Sequence, residues 1–273
     1  MKTVFDFLVY HKDKLATGLI LCVAILGVVE ILQATPFGPG VGSDAVVYIT
    51  SARNLLAGHG LGLVNPDGTF RLLPYFPPFY PLVLSGLGLV VGDLIEGARW
   101  LNAVLFGGLI ALSGLEFQRL TRNDFFALAL SCLLAFSSVL IRISSWAMSE
   151  PISLLTAFGG LFLLLKYLDD HRRASFIFSA LLVGVAFLSR YAMVASFLAG
   201  CFVILLFLQG DFRKRIVQTV MYGLLSILPM AVWFLVDFSA TGTLGSRSSQ
   251  MISDLPGRAA DLILPLKESF YNW

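Results

Sequence analysis

Charge is scarce in this chain of 273 residues. Asp, Glu, Lys and Arg together make up 13% of it, against about 25% in soluble domains, while hydrophobic residues reach 57%. That composition excludes an ordinary soluble globular protein and defines a polytopic membrane protein. The net formal charge is only +2, so no basic surface argues for nucleic acid as a partner. Cysteine is confined to Cys22, Cys132 and Cys201, each inside an apolar run, where they read as small core residues rather than a disulfide frame or metal site. There is no Asn-x-Ser/Thr sequence and no low-complexity tract. The lack of an internal repeat argues against a transporter built from two related halves. The last apolar run, 216–236, contains no lysine, which excludes a retinal receptor for want of a Schiff-base amine.

What is present is a series of apolar runs of membrane-spanning length. Residues 15–33 follow Lys2, Lys12 and Lys14 and form the first span; a cleaved signal peptide is the competing reading, but this run exceeds the usual 7 to 15 residues, roughly. The second and third spans are 97–119 and 125–145. The fourth is 151–168, with Pro151 as its first helical residue and Ser149 or Glu150 as its cap. Residues 175–209 would make a single helix of about 52 Å, too long for a hydrocarbon core of about 30 Å. They are therefore expected to fold back at Ser189-Arg190-Tyr191 as two short spans. Residues 216–236, with a kink at Pro229, complete about seven spans. The apolar stretch from Phe79 to Val91 is too short to span and reads as interfacial or re-entrant.

Basic residues orient this arrangement. With the N-terminus in the cytoplasm, Lys2, Lys12, Lys14, Arg119, Arg122, Lys166, Arg172, Arg173, Arg213, Lys214 and Arg215 all face inward, eleven of the nineteen Lys and Arg. These dense clusters beside span ends are the ones that set topology. Treating 79–91 as a full span would turn every later cluster outward. The expected protein is thus a multi-pass protein of the cell membrane, all-α, with interfacial helices in a long first outer loop over about 34–96.

Within that loop, residues 42–60 are helical in pattern. Ala45, Tyr48, Ile49, Ala52 and Leu55 recur on one face, while Thr50, Arg53 and Asn54 fall elsewhere. Ser43 or Asp44 can cap the start and Gly58 can end it. Asp44 is either such a cap or a carboxylate with a chemical task. The topology brings Asp44, Arg142, Glu150, Arg190 and Tyr191 to the outer membrane surface from distant points of the chain. Ionisable groups at membrane depth cost about 2.5 to 3.5 kcal/mol each, so Glu150 and Arg190 require partners or a function, the alternative being interfacial snorkelling. Carboxylates and guanidinium groups beside apolar helices suit a substrate with an anionic head and a greasy tail.

The motifs Ser43-Asp44-Ala45-Val46-Val47-Tyr48, Leu55-Leu56-Ala57-Gly58-His59-Gly60, Pro77-Pro78-Phe79-Tyr80-Pro81-Leu82, Ser149-Glu150-Pro151 and Ser189-Arg190-Tyr191 resemble, in order and spacing, the GT-C membrane glycosyltransferases. The similarity is greatest to the protein-mannosyltransferase-like bacterial branch, which includes lipid A sugar transferases. The resemblance implies a polyprenyl-phosphate sugar donor and a glycan, lipid or protein acceptor, with membrane lipids as surroundings and the active site on the outer face. It implies that Asp44 is the loop carboxylate acting as catalytic base, that Glu150 is a second acidic residue, and that Arg190 lies near the donor phosphate. Tyr191, Arg71, Arg142 and Arg247 are further candidates for the phosphate. The pattern fixes no cofactor; the candidate is a divalent cation, Mg or Mn, between Asp44 and Glu150, since hard cations favour carboxylate oxygen. Ala45 departs from the second acidic residue of the eukaryotic protein mannosyltransferases.

Family members usually continue with further spans, so residues 1–237 read as the seven-span module and 238–273 as the start of a second outer loop in a truncated or split enzyme. The expected reaction is inverting sugar transfer. The rival readings are a non-catalytic or split-enzyme relative and a carrier or flippase for an anionic lipid-linked sugar.

Overall fold

Caps and breaks in a nearly continuous apolar sequence decide where each helix begins and ends. The computed structural model describes residues 2–64, 68–73 and 76–241, with side chains from Lys14 to Ser239. In chain order the elements are α1 (Lys2–Ala34), α2 (Ser43–Leu56), β1 (Gly62–Val64), β2 (Phe70–Leu72), α3 (Phe79–Val91), α4 (Leu94–Thr121) and α5 (Asp124–Ala135). They continue with α6 (Ser138–Ser144), α7 (Glu150–Asp170), α8 (Arg173–Ser189), a 3-10 turn at Tyr191–Met193, α9 (Val194–Phe207) and α10 (Phe212–Thr241). The two strands pair antiparallel, with Leu63 opposite Arg71.

This is an all-α polytopic membrane protein. α1, α4, α7 and α10 are each long and apolar enough to cross a membrane, and α5 with α6 does so as a pair bent by 54°. α8 and α9 have 17 and 14 residues, roughly 25 and 21 Å of helix. They form the fold-back expected at Arg190: Ile204 and Leu208 at the end of α9 share a buried cluster with Phe176 and Ala180 at the start of α8. The expected seven passes are reached only if these two short helices each count as one. α3 is the short, non-spanning helix anticipated, ended by Gly92 at φ 80°.

Three boundaries differ from the sequence reading. The run 125–145 is not one helix, because Ser137 Oγ accepts from Leu140 N at 3.4 Å and caps a new helix there. α2 is preceded by Gly42, and neither Ser43 nor Asp44 caps it, both being inside the first turn. α10 runs on to Thr241, past the expected span end at 236 and the module boundary at 237, with Asp237 buried inside the helix. Arg247 and the rest of 242–273 lie outside the described residues.

α1 and α4 pack antiparallel. Thr17 Oγ1 donates to Gln118 Oε1 at one end, and Arg99 donates to the Leu32 carbonyl at the other, 2.9 Å away. Between these, Ala24, Ile31, Ala103, Phe106 and Ile110 form a buried cluster. Gly107 permits the approach: a Cβ there would overlap Val28 and come 2.8 Å from the Ala24 carbonyl oxygen. Antiparallel packing also sorts the charges. Lys14, Arg119, Arg122, Arg173 and Lys214 stand at one end of the bundle, and α2, the hairpin, α3, Glu150 and Arg190 stand at the other. Gly107→Ala is expected to force α1 from α4 and lower stability in detergent by about 1–3 kcal/mol. Gly18→Ala, where an added Cβ meets nothing within 4 Å, is expected to leave the melting temperature unchanged; equal melting of both variants would contradict this packing.

Candidate active site

α2 lies across the bundle end because its apolar face matches the surface below it. Ala45, Tyr48, Ile49 and Ala52, the face read from the sequence, are buried against Tyr80 and Leu84 of α3, Leu94 and Ala98 of α4, and Ala147 and Ile152 at the entry to α7. On the other side, Asn54 Nδ2 donates to the Gly62 carbonyl at 2.8 Å and joins α2 to the hairpin.

The chain entering α2 is fastened to the chain entering α7. Gly40 N donates to the Ser145 carbonyl at 2.8 Å, and Ala147 N donates to the Gly40 carbonyl at 3.0 Å. Trp146 lies over this bridge, and a Cβ at Gly40 would come 2.8 Å from its ring. Glycine is therefore required at position 40 by the close approach. From below, Asn102 of α4 is fully buried and donates through Nδ2 to the carbonyls of Trp146 and Met148. Its Oδ1 accepts from Tyr80 OH at 3.4 Å. One amide on α4 thus ties together the Tyr80 hydroxyl and the Trp146 and Met148 carbonyls.

Asp44 and Tyr48 of α2 line a cleft of about 290 Å³ with Phe76, Pro77, Arg190, Tyr191 and Ala192. Arg190 has extended backbone (φ −157°) and breaks the α8–α9 hairpin, which turns its side chain over to other partners. Its Nη1 donates to Glu150 Oε1 at 2.8 Å. Glu150 Oε2 is buried and has no hydrogen-bond partner. Tyr191 stacks on Phe234 of α10 with ring centroids 6.4 Å apart. Asp44 Oδ1 accepts from Ser43 Oγ at 3.1 Å.

Tyr48 sits under the cleft with its hydroxyl 3.1 Å from Ser149 Oγ. This contact occupies the Ser149 side chain, which makes no cap bond to α7. Burial pushes the Tyr48 phenol up to about 12, opposed by the Ser149 hydrogen bond; the Asp44 carboxylate adds to the rise and Arg190 counters it. The phenol is consequently protonated at physiological pH and is a hydrogen-bond donor rather than a base.

The structure thus brings together Asp44, Arg190 and Tyr191 in one cleft, with Glu150 joined to it through Arg190. Arg142 does not reach it: it is exposed on α6 and lines a separate cavity of about 300 Å³ with Val139, Ile143, Trp146 and Met148. Arg71 is exposed on β2 and is not among the residues lining the cleft. Among the described residues no three His, Cys, Asp or Glu side chains gather as a metal set. Asp44 and Glu150 alone fit a resident cation poorly, because the Arg190 guanidinium already neutralises Glu150. Tyr48 and Asn102 were not singled out as site residues from sequence. For Asn102 the available signal was an amide within an apolar run.

Residues 76–233, more than half of the chain, match the family described as dolichyl-phosphate-mannose-protein mannosyltransferase. The chain belongs to this family and is a membrane glycosyltransferase of the GT-C kind. The matched segment contains Glu150 and Arg190 and begins after α2. No curated protein and no solved structure matches the chain.

Asn102→Leu is expected to leave the Tyr80 hydroxyl and the Met148 carbonyl without their Asn102 partner and the Trp146 carbonyl with only its bond from Met148 N, lowering stability by about 1–3 kcal/mol. Asn102→Asp keeps an acceptor for Tyr80 but loses both amide donors, so it is expected to fail as well. Detergent melting curves check both, and an Asn102→Leu protein that melts with the wild type would remove Asn102 from its organising role.

Proposed function

We propose that this protein transfers a sugar from a polyprenyl-phosphate donor to a hydroxyl or amine of a glycan, lipid or protein acceptor, with inversion at the anomeric carbon. The reaction takes place at the bundle end that carries α2, which faces the extracytoplasmic side of the cell membrane, the N-terminus being cytoplasmic. The observation that carries this reading is the meeting of Asp44, from the first loop, with Arg190, from the α8–α9 break, in one cleft. Membership of a family named for a lipid-phosphate sugar donor supports it.

The chemistry needs few groups. The Asp44 carboxylate accepts the acceptor's proton as that oxygen or nitrogen attacks the anomeric carbon. The bond from the anomeric carbon to the phosphate oxygen breaks, and the lipid phosphate leaves with the electron pair. A phosphate departs without a general acid, so the useful contribution is positive charge. Arg190 supplies it through charge-assisted, bidentate-capable contacts, exchanging part of its bond to Glu150 for the phosphate. Glu150 holds the guanidinium in position until then. Tyr48 donates a hydrogen bond at the floor, and Tyr191 and Phe76 offer apolar surface to the lipid or the sugar face. A cation between Asp44 and Glu150 is not needed for any step.

Asp44→Asn tests this directly. Asp44 makes no cap bond, so its replacement by Asn removes a carboxylate while costing only the helix-dipole contribution, about 0.3–1 kcal/mol. Sugar transfer in a membrane preparation supplied with a polyprenyl-phosphate sugar and acceptor is expected to fall by about two orders of magnitude or more, with expression and lipid binding retained. Arg190→Ala is expected to weaken donor use, with partial rescue by Arg190→Lys. Wild-type turnover by Asp44→Asn would refute the assignment of the base.

Orientation is tested separately. In a background without native cysteines, Val64→Cys is expected to react with an impermeant thiol reagent added outside intact cells, and His171→Cys only after permeabilisation. The reverse pattern would place the cleft on the cytoplasmic face.

A further inference from the structure

A second cavity, of about 490 Å³, opens at the bundle end opposite the active-site cleft, between α7, α8 and α10. It is unlike the cleft in construction, having cations at its mouth and apolar side chains below. Arg173, Lys214 and His171 form the mouth, all exposed. Phe176, Met221 and Leu225 line the deeper part. The Tyr167 hydroxyl donates to Gln218 Oε1 at 3.4 Å and ties α7 to α10 across it.

The cations at the mouth are not held in ion pairs among the described residues. Arg172 pairs with Asp170 at 3.7 Å, but among the described residues no ion pair joins Arg173 or Lys214 to a carboxylate. Lys214 Nζ donates to the Gln209 backbone carbonyl, at 3.2 Å. Two cations that line one cavity mouth without an ion-paired carboxylate favour an anionic ligand. The depth of the cavity decides which one. Lys214 and Leu225 lie on one helix, about 16 Å apart along its axis, so the cavity runs from the charged end down into the apolar part of the bundle. A small soluble anion would use the mouth and leave the apolar surface bare. A phospholipid would fill both, with its phosphodiester at Arg173 and Lys214 and an acyl chain against Phe176, Met221 and Leu225.

We propose that this cavity is a binding site for an anionic phospholipid of the leaflet opposite the catalytic cleft. The lipid is a bound structural ligand there and not a substrate, since the cavity and the cleft are at opposite ends of the α7–α8 pair. By bridging α8 to α10 it steadies the pair of helices whose far ends carry Arg190 and Phe234.

The test uses the purified full chain, delipidated in a neutral detergent and examined by native mass spectrometry and thermal melting. Palmitoyl-oleoyl-phosphatidylglycerol is expected to bind and raise the melting temperature, while the phosphatidylcholine of the same chains and inorganic phosphate do neither. R173Q/K214Q is expected to weaken phosphatidylglycerol binding by about tenfold or more. Met221→Trp, which fills the apolar part with the cations intact, is expected to weaken it as well, and so reports even if the double variant fails to fold. R122Q/R213Q removes the same charge from the same end outside the cavity and is expected to bind as wild type. Equal binding of phosphatidylcholine, full protection by inorganic phosphate, or a loss in R122Q/R213Q matching that of R173Q/K214Q would each overturn the proposal. Loss of sugar transfer has no part in these readouts, so the function proposed above stands or falls independently.

Discussion

The two backbone hydrogen bonds between Gly40 and the Ser145–Ala147 segment are the constraint on which the site depends. Each joins chain that has just left one membrane helix to chain about to enter another. A side chain at position 40 would strike Trp146, so the approach is available to glycine alone. Once the bridge is made, α2 begins beside the start of α7, and Tyr48 meets Ser149. Asp44 and Glu150, more than a hundred positions apart, are then neighbours of the same buried phenol. Asn102 makes the same junction from beneath, donating to the Trp146 and Met148 carbonyls on either side of Ala147.

Arg190 completes the arrangement from the opposite direction. An apolar stretch as long as 175–209 must turn, and the turn is made by extended backbone at Arg190 followed by one 3-10 turn. Placing an arginine at that break commits its charge to the bundle end, where Glu150 receives it at 2.8 Å. The pair is only partly shielded, with the Arg190 side chain 35% exposed and that of Glu150 17%. An ion pair in that situation is weakly stabilising by itself and can be opened by a competing anion. That makes it suited to holding a guanidinium ready for a phosphate. The buried, unpartnered Glu150 Oε2 is consistent with a site organised for an occupant rather than for maximal stability.

The two cavities differ in the same physical terms. At the cleft, cation and carboxylates are mixed, which suits proton transfer beside a leaving phosphate. At the opposite end, cations stand without carboxylate partners above an apolar wall, which suits retention of a lipid without chemistry. The α8 and α10 helices line or support both, so their packing against each other is common to the two ends.

Composition and periodicity determined the class of protein, because backbone in lipid must form helices and apolar length sets where they can cross. The amphipathic face of α2 and the turn at Arg190 were legible for the same local reasons, as was the grouping of Asp44, Glu150 and Arg190 at one end, which follows from counting passes. The break at Ser137, the continuation of α10 through Asp237 and the exclusion of Arg142 from the cleft were not legible. Each turns on a choice between local states that composition and periodicity permit equally. Asn102 is the plainest case: its sequence position says that a buried amide needs partners, and only the tertiary structure supplies them, since Tyr80, Trp146 and Met148 come from segments with no local relation to it.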